Sequence, residues 1–115
     1  MIRLSLPLPP SANHLFSNAP GKGRVKTQAY RDWINTAGWE VKAQAPGYVT
    51  ITGPYRLLIE MSGPYDLDNC CKPCGDLLQV MRIVANDKLM TRLVVDRVDG
   101  PRGVRIEVEA IEPTL

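Results

Sequence analysis

Histidine and phenylalanine each occur once among 115 residues, and the only three cysteines crowd into five positions as Cys70, Cys71 and Cys74. An odd, local set of thiols excludes a disulfide framework. Cys71 and Cys74 form a single C-x-x-C, but a structural zinc site needs four ligands. No second such pair exists and His14 lies far off in sequence, so the thiols read as small packing residues. No apolar run approaches the roughly 20 residues of a membrane span. Pro7, Pro9 and Pro10 interrupt the opening stretch, unlike the core of a signal peptide, and the expected location is the cytoplasm. A strong charge of either sign is also missing. Fourteen Lys and Arg against twelve Asp and Glu leave a net of +2, which permits a polyanionic partner without requiring one. Gly21-Lys22-Gly23-Arg24 is no P-loop, and the segment from Asp66 lacks the glycine and terminal glutamate of an EF-hand loop. Neither a nucleotide cofactor nor a membrane partner is expected.

What is present describes an ordinary folded domain: 44% apolar and 23% charged residues in a chain long enough for one domain, residues 1–115, and too short for two. A core this size is thin, so a second copy would add useful burial. Ile2, Leu4, Leu6 and Leu8 alternate with polar or proline positions, predicting a strand buried on one face. Residues 9–26, rich in Pro, Ser, Asn and Gly, read as a long loop. Thr27 can cap a helix in which Tyr30, Trp33, Ile34, Ala37 and Val41 form one apolar stripe. After an extended stretch at 48–52, Gly53-Pro54 opens a strand with Tyr55, Leu57, Ile59 and Met61 on one face. The spacing then predicts a helix over 69–81. Cys70, Cys74, Leu77, Leu78 and Met81 lie on one side of it, Lys72, Asp76 and Gln79 on the other, with Pro73 near its start. Strands over 89–98 and 104–111 flank Asp99-Gly100-Pro101-Arg102-Gly103 and are expected to pair as an antiparallel hairpin. The fold class is α+β: a single domain in the order β-α-β-α-β-β, with a mixed four-stranded sheet and two helices.

Charge is unevenly distributed. Arg3, Lys22, Arg24, Lys26 and Arg31, with His14, precede the first carboxylate, whereas Asp66, Asp68, Asp76 and Asp87 gather in the middle. Asp66-Leu67-Asp68-Asn69 falls where a strand ends and a helix begins, and D-x-D on extended backbone points both carboxylates to one side. That arrangement suits magnesium, which takes one or two protein carboxylates and keeps other positions for water and phosphate oxygens. The plainer alternative is that Asp68 or Asn69 caps the helix and Asp66 is a solvated turn residue. Lys72 lies one turn beyond Asp68, and Asp76 one turn beyond Lys72. The lysine could counter charge building on a phosphate, or form an ordinary i, i+4 ion pair. Asn86-Asp87-Lys88 offers another carboxylate, or a plain turn.

Together these residues resemble the RusA-type endodeoxyribonucleases, Holliday junction resolvases often carried by prophages. Leu6-Pro7-Leu8-Pro9-Pro10-Ser11-Ala12-Asn13 is similar to the family's LPxPPSxN segment, and Ala29-Tyr30-Arg31-Asp32 to its AYRD helix start. Asp66-Leu67-Asp68-Asn69 with Lys72 and Asp76 looks like its DxDNxxKxxxD motif, and Asn86-Asp87 like its second acidic motif. The resemblance implies a magnesium-dependent homodimer that places paired nicks in a four-way DNA junction. It implies Asp66, Asp68 and Asp87 as metal ligands and catalytic residues, Lys72 as the catalytic cation, and Asn69 and Asp76 in support. Some members carry arginines just before the DxD motif, where this chain has Ser62-Gly63-Pro64-Tyr65. DNA contacts then fall to Asn13, Lys22, Arg24, Lys26 and Arg31, joined by Lys88 and Arg92. The alternative function is a non-cleaving branched-DNA-binding protein with a vestigial metal site. The sequence does not identify the dimer interface; the last two strands are one candidate, since alternation leaves Val94 and Val98 opposite the face of Leu93 and Val95.

Overall fold

The computed structural model of the chain describes residues 1–111. Along it run β1 (Ile2–Leu6), β2 (Phe16–Ala19), β3 (Gly23–Lys26), α1 (Gln28–Gln44), β4 (Tyr55–Ser62), α2 (Cys71–Val80), β5 (Met90–Arg97) and β6 (Gly103–Ala110). Four strands make one mixed sheet in the order β1-β6-β4-β5, and β2 pairs with β3 as a separate ribbon. The α+β architecture with two helices on a mixed four-stranded sheet is as expected. Its core joins the two predicted helix stripes to the inner face of the sheet: Tyr30, Trp33, Ala37 and Val41 of α1, Cys74, Leu77 and Leu78 of α2, and Leu57, Ile59, Met61, Val104, Ile106 and Val108 beneath them. Ile34 and Met81 pack at its margin. Thr27 caps α1 as its position predicts, its hydroxyl oxygen accepting from the Tyr30 backbone N–H at 3.2 Å.

The expected hairpin is overturned. β5 and β6 do not pair with each other, because β4 lies between them, parallel to β5 and antiparallel to β6. β4 carries the fully buried row Tyr55, Leu57, Ile59 and Met61, and a central position pairs both of its edges while that row stays covered. The link at 98–102 crosses its end. There the Val98 N–H donates to the Met61 carbonyl at 2.9 Å and the Ser62 hydroxyl to the Gly100 carbonyl at 2.7 Å. Residues 9–26 are also more ordered than a plain loop. They form a short 3-10 turn at Ala12–His14 and then the β2–β3 ribbon, closed by Ala19-Pro20-Gly21-Lys22 with Gly21 at φ +74°. Pro before a left-handed Gly favours that turn, and the pairing either side of it was hidden by polar strand residues.

Further ties fix the connections. The Gln44 side-chain amide bonds both the N–H and the carbonyl of Ser5 at 2.7 Å, as another strand would, and so occupies part of the β1 edge. Ile51 forms a lone parallel bridge with Val84. α2 ends with Arg82 at φ +58°, a position that usually takes glycine, while the Ile83 N–H reaches back to the Leu78 carbonyl at 2.9 Å. On the outer face of the sheet, ion pairs join residues opposite one another in register: Arg3 with Glu107 at 3.2 Å, Glu60 with Arg105 at 3.7 Å, and Arg56 with Glu109. Such exposed pairs contribute only a few tenths of a kcal/mol each.

Gly103 begins β6 at φ +157°, and a Cβ there would stand 2.9 Å from the Leu6 carbonyl oxygen. That neighbour is backbone in a paired strand and cannot move aside cheaply. Gly103→Ala is expected to destabilise the protein by roughly 2 kcal/mol, lowering the thermal midpoint by about 10 °C. Thermal unfolding followed by circular dichroism checks it, and an unchanged midpoint would contradict the packing described.

Candidate active site

The chain leaves β4 through Gly63-Pro64-Tyr65, a segment held from β5. The Arg97 guanidinium donates to the Gly63 carbonyl at 2.6 Å and to the Tyr65 carbonyl at 2.7 Å. Asp66 follows in extended conformation, φ −63° and ψ 148°, and Leu67–Cys70 then form a 3-10 turn that runs into α2. The extended-strand spacing therefore covers Asp66 alone. Asp68 lies inside the turn, where alternation no longer applies, and the helix expected over 69–81 begins as this turn. The capping alternative is not realised: no side chain caps either the turn or α2. Asp66 and Asp68 are both exposed, and neither carboxylate has a hydrogen-bond or ion-pair partner among the described residues. Asn69 faces the other way. Its Oδ1 accepts from the Ala12 N–H at 2.9 Å, so the PPSxN segment is bonded directly to the DxDN turn.

In the first turn of α2, the Lys72 Nζ lies 3.1 Å from Asp76 Oδ1, the i, i+4 ion pair its spacing allows. The other Asp76 oxygen accepts from the Tyr30 hydroxyl at 2.5 Å. Tyr30 is fully buried, and burial, followed by that hydrogen bond, drives its pKa far above the usual 10. Both Asp76 oxygens are thus engaged, one by Tyr30 and one by Lys72, which suits an anchor better than a metal ligand.

Asp87 stands elsewhere. Its N–H donates to Gln79 Oε1 at 3.0 Å, and Asn86 Oδ1 accepts from the Lys88 N–H at 2.9 Å, an Asx turn of the plain kind. Its side chain lines a groove of about 440 Å³ together with Lys26, Lys72, Asp76, Gln79 and Phe16. Close by, the Tyr55 hydroxyl is buried without a hydrogen-bond partner, and burial, then the Asp87 charge, push its pKa up. Asp87 precedes β5 at the start of β4, whereas Asp66 and Asp68 follow the end of β4. The parallel register from Tyr55↔Met90 to Met61↔Arg97 puts about 20 Å of sheet between these ends. Among the described residues no group of three or more His, Cys, Asp or Glu side chains is arranged to hold a metal ion. One chain brings Lys72, Asp76 and Asp87 to a common groove, and leaves Asp66 and Asp68 outside its lining.

The basic residues divide likewise. Phe16, Asn18, Arg24 and Lys26 share one face of the ribbon. Arg24 lies over the Phe16 ring at 4.6 Å and Lys26 over the Tyr30 ring at 5.8 Å. Lys22 sits exposed at the ribbon turn, Asn13 exposed in the 3-10 turn, and Lys88 exposed beside Asp87. Arg31 is already committed: it donates to the Lys26 carbonyl at 2.6 Å and to Gln28 Oε1 at 2.8 Å. Arg92 lines a trough on the outer face of the sheet with Arg56, Leu58 and Val94, away from the ribbon. Sequence reasoning missed Tyr30, Arg97 and Gln79 as parts of this region. Tyr30 was absorbed into the apolar stripe, Gln79 was placed on the helix face of Lys72 and Asp76 but given no role, and nothing marks Arg97 before the fold is known.

Two unpartnered carboxylates on backbone fixed by Arg97 and Asn69 fit a hard dication that takes one or two carboxylates, and Asp87 of the same chain does not join them. Cys70 and Cys74 are buried, as their helix positions suggest. Burial pushes the Cys70 thiol up to about 11 and the Cys74 thiol higher still. No family model matches the chain, and no curated protein matches it either.

The raised pKa values of Cys74 and Tyr30 have a defined sign. Each group holds its proton more tightly when folded, so its stabilising effect is intact below the unfolded pKa, near 9 for the thiol and 10 for the phenol, and is lost as pH rises above it. Urea unfolding is expected to show stability falling between pH 8 and 11, with Cys74→Ala falling less steeply. A flat profile over that range would contradict the burial of these two groups.

Proposed function

We propose that the protein is a magnesium-dependent, structure-selective endodeoxyribonuclease of the RusA type. It acts in the cytoplasm as a homodimer and resolves four-way DNA junctions by paired nicks, in recombination and repair. The observation that carries this reading is the pair of exposed, unpartnered carboxylates Asp66 and Asp68 on a turn fixed from β5 by Arg97 and from the N-terminal segment by Asn69. Asp66 and Asp68 would hold the ion. Magnesium there supplies polarisation of the scissile phosphate and activation of a water. Lys72, held by Asp76, which the Tyr30 hydroxyl anchors in turn, presents its ammonium to counter charge gained by the phosphate. Lys22, Arg24 and Lys26 on the ribbon take neighbouring phosphates, whose contacts dominate affinity for DNA.

The distance of Asp87 from Asp66 and Asp68 supports a symmetric dimer in which each site takes Asp66 and Asp68 from one copy and Asp87 from the other. A two-fold pair of such sites matches the approximate two-fold of a four-way junction. The same separation is the specific observation favouring the second reading, a branched-DNA-binding protein that does not cleave.

Incubation of purified protein with labelled four-way junction, duplex and flap, with and without magnesium, separates the readings. Magnesium-dependent paired nicking of the junction is expected. Asp68→Asn and Asp87→Asn should each reduce nicking at least a hundredfold while junction binding persists. Co-refolding the two inactive variants should restore about a quarter of wild-type nicking, since half of the dimers are mixed and each mixed dimer keeps one intact composite site. Binding without cleavage by the wild type would favour the second reading. No recovery in the mixture would place Asp87 in the same site as its own Asp68, and an Asp87→Asn variant that still nicks would place Asp87 outside the chemistry.

A further inference from the structure

Beside the groove that Asp87 lines lies a second depression of about 530 Å³, bordered by Ala12, Leu15, Phe16, Arg24 and Lys72. The two share Phe16 and Lys72 as a common wall. Their chemistry differs: the first holds two carboxylates and two lysines, whereas no carboxylate borders the second, which has Arg24 and Lys72. The Arg24 guanidinium lies over the half-buried Phe16 ring, 4.6 Å from its centre, and Leu15 is almost fully buried. The rim is fixed, because the Ala12 N–H is bonded to Asn69 in the DxDN turn. A guanidinium backed by an aromatic ring and a second cation, Lys72, form a set of groups that a nucleotide satisfies. A base can stack on the guanidinium and ring while its phosphate lies between Arg24 and Lys72. Bases inside a duplex are not free to enter such a pocket; a nucleotide at a branch point or in a single strand is.

We propose that this depression, resting on the nuclease reading above, holds one unstacked nucleotide of the strand being cut, with its base against Phe16 and Arg24 and its phosphate between Arg24 and Lys72. Lys72 then touches the phosphate adjoining that base, which places the unstacked nucleotide next to the scissile position. Substrate choice follows from the pocket: DNA whose bases are already unstacked is preferred over continuous duplex.

Fluorescence anisotropy in EDTA, where no cleavage occurs, tests it with two labelled oligomers: a thymidine dodecamer and a fully abasic dodecamer with the same sugar–phosphate backbone. The wild type is expected to bind the thymidine oligomer about tenfold more tightly, the size of one base–aromatic stack. Phe16→Leu, which keeps apolar packing against Tyr30, and Arg24→Ala, which leaves the ring in place, should each reduce that preference to within about twofold. Phe16→Trp should keep it. Equal binding of both oligomers by the wild type, no binding of either, or a preference surviving in both Phe16→Leu and Arg24→Ala would overturn the proposal. Because the readout needs no metal, a protein that cuts junctions in magnesium but shows no base preference refutes the pocket alone. One that shows the preference but never cuts refutes the nuclease reading, and with it the placement beside a scissile position, while the nucleotide pocket stands.

Discussion

The parallel pairing of β4 with β5 is the constraint from which the arrangement of the candidate site follows. Parallel neighbours cannot be joined by a tight turn, so the chain must leave the end of β4, cross the sheet and return to the start of β5. That crossover is the 3-10 turn and α2, and it carries every acidic and basic residue of the DxDNxxKxxxD motif. Its two ends are necessarily at opposite ends of the strands. Asp66 and Asp68 fall at one, Asp87 at the other, and Lys72 and Asp76 along the helix between. A hairpin of β5 with β6 would have left β4 with a free edge and the crossover without its second anchor. The central place of β4, with its buried row Tyr55, Leu57, Ile59 and Met61, therefore decides both the topology and the separation of the carboxylates.

Several contacts then converge on the crossover from outside it. Arg97 grips the backbone that leads into Asp66, Asn69 ties the turn to Ala12, and Tyr30 holds Asp76. Each joins a motif to an element distant in sequence, while Gln79 of the crossover itself holds the Asp87 backbone. The proline-rich segment, the start of α1 and the acidic turn, separate along the chain, are parts of one hydrogen-bonded assembly around a groove. Tyr30 is central to it: it packs edge-on against Phe16 of the ribbon at 5.6 Å, supports Lys26 from beneath its ring, and bonds Asp76. A phenol kept protonated by burial can serve as such a donor throughout the neutral range.

Local pattern made much of this legible. The alternation of β1 and β4, the Thr27 cap and the apolar stripes of both helices follow from period and propensity, and each is present in the structure. Partner choice was not legible. Val94, Val95 and Val104 are as compatible with a hairpin as with separate places beside β4, because alternation fixes which face a residue takes and not which strand lies beside it. The ribbon was hidden because Ser17, Asn18 and Arg24 have loop-like composition, and only pairing makes them strands. Among site residues, sequence indicated the acidic turn and its lysine but misjudged the backbone of Asp68, for a 3-10 turn and an extended segment can share the same D-x-D spacing. Arg97 left no trace, since a guanidinium reaching two carbonyls across a sheet end needs no particular neighbour in sequence.

The claim on which the account turns is that the turn at Asp66 and Asp68 is where a divalent cation binds. The most direct test is a manganese titration of isotopically labelled protein followed by amide NMR, since Mn²⁺ takes the same oxygen ligands as magnesium and broadens signals near it. The amide signals of Asp66, Leu67, Asp68 and Asn69 are expected to broaden first, at substoichiometric manganese, and Asp68→Asn to remove this effect. Signals that stay sharp across that turn while others broaden, or that stay sharp everywhere, would contradict it.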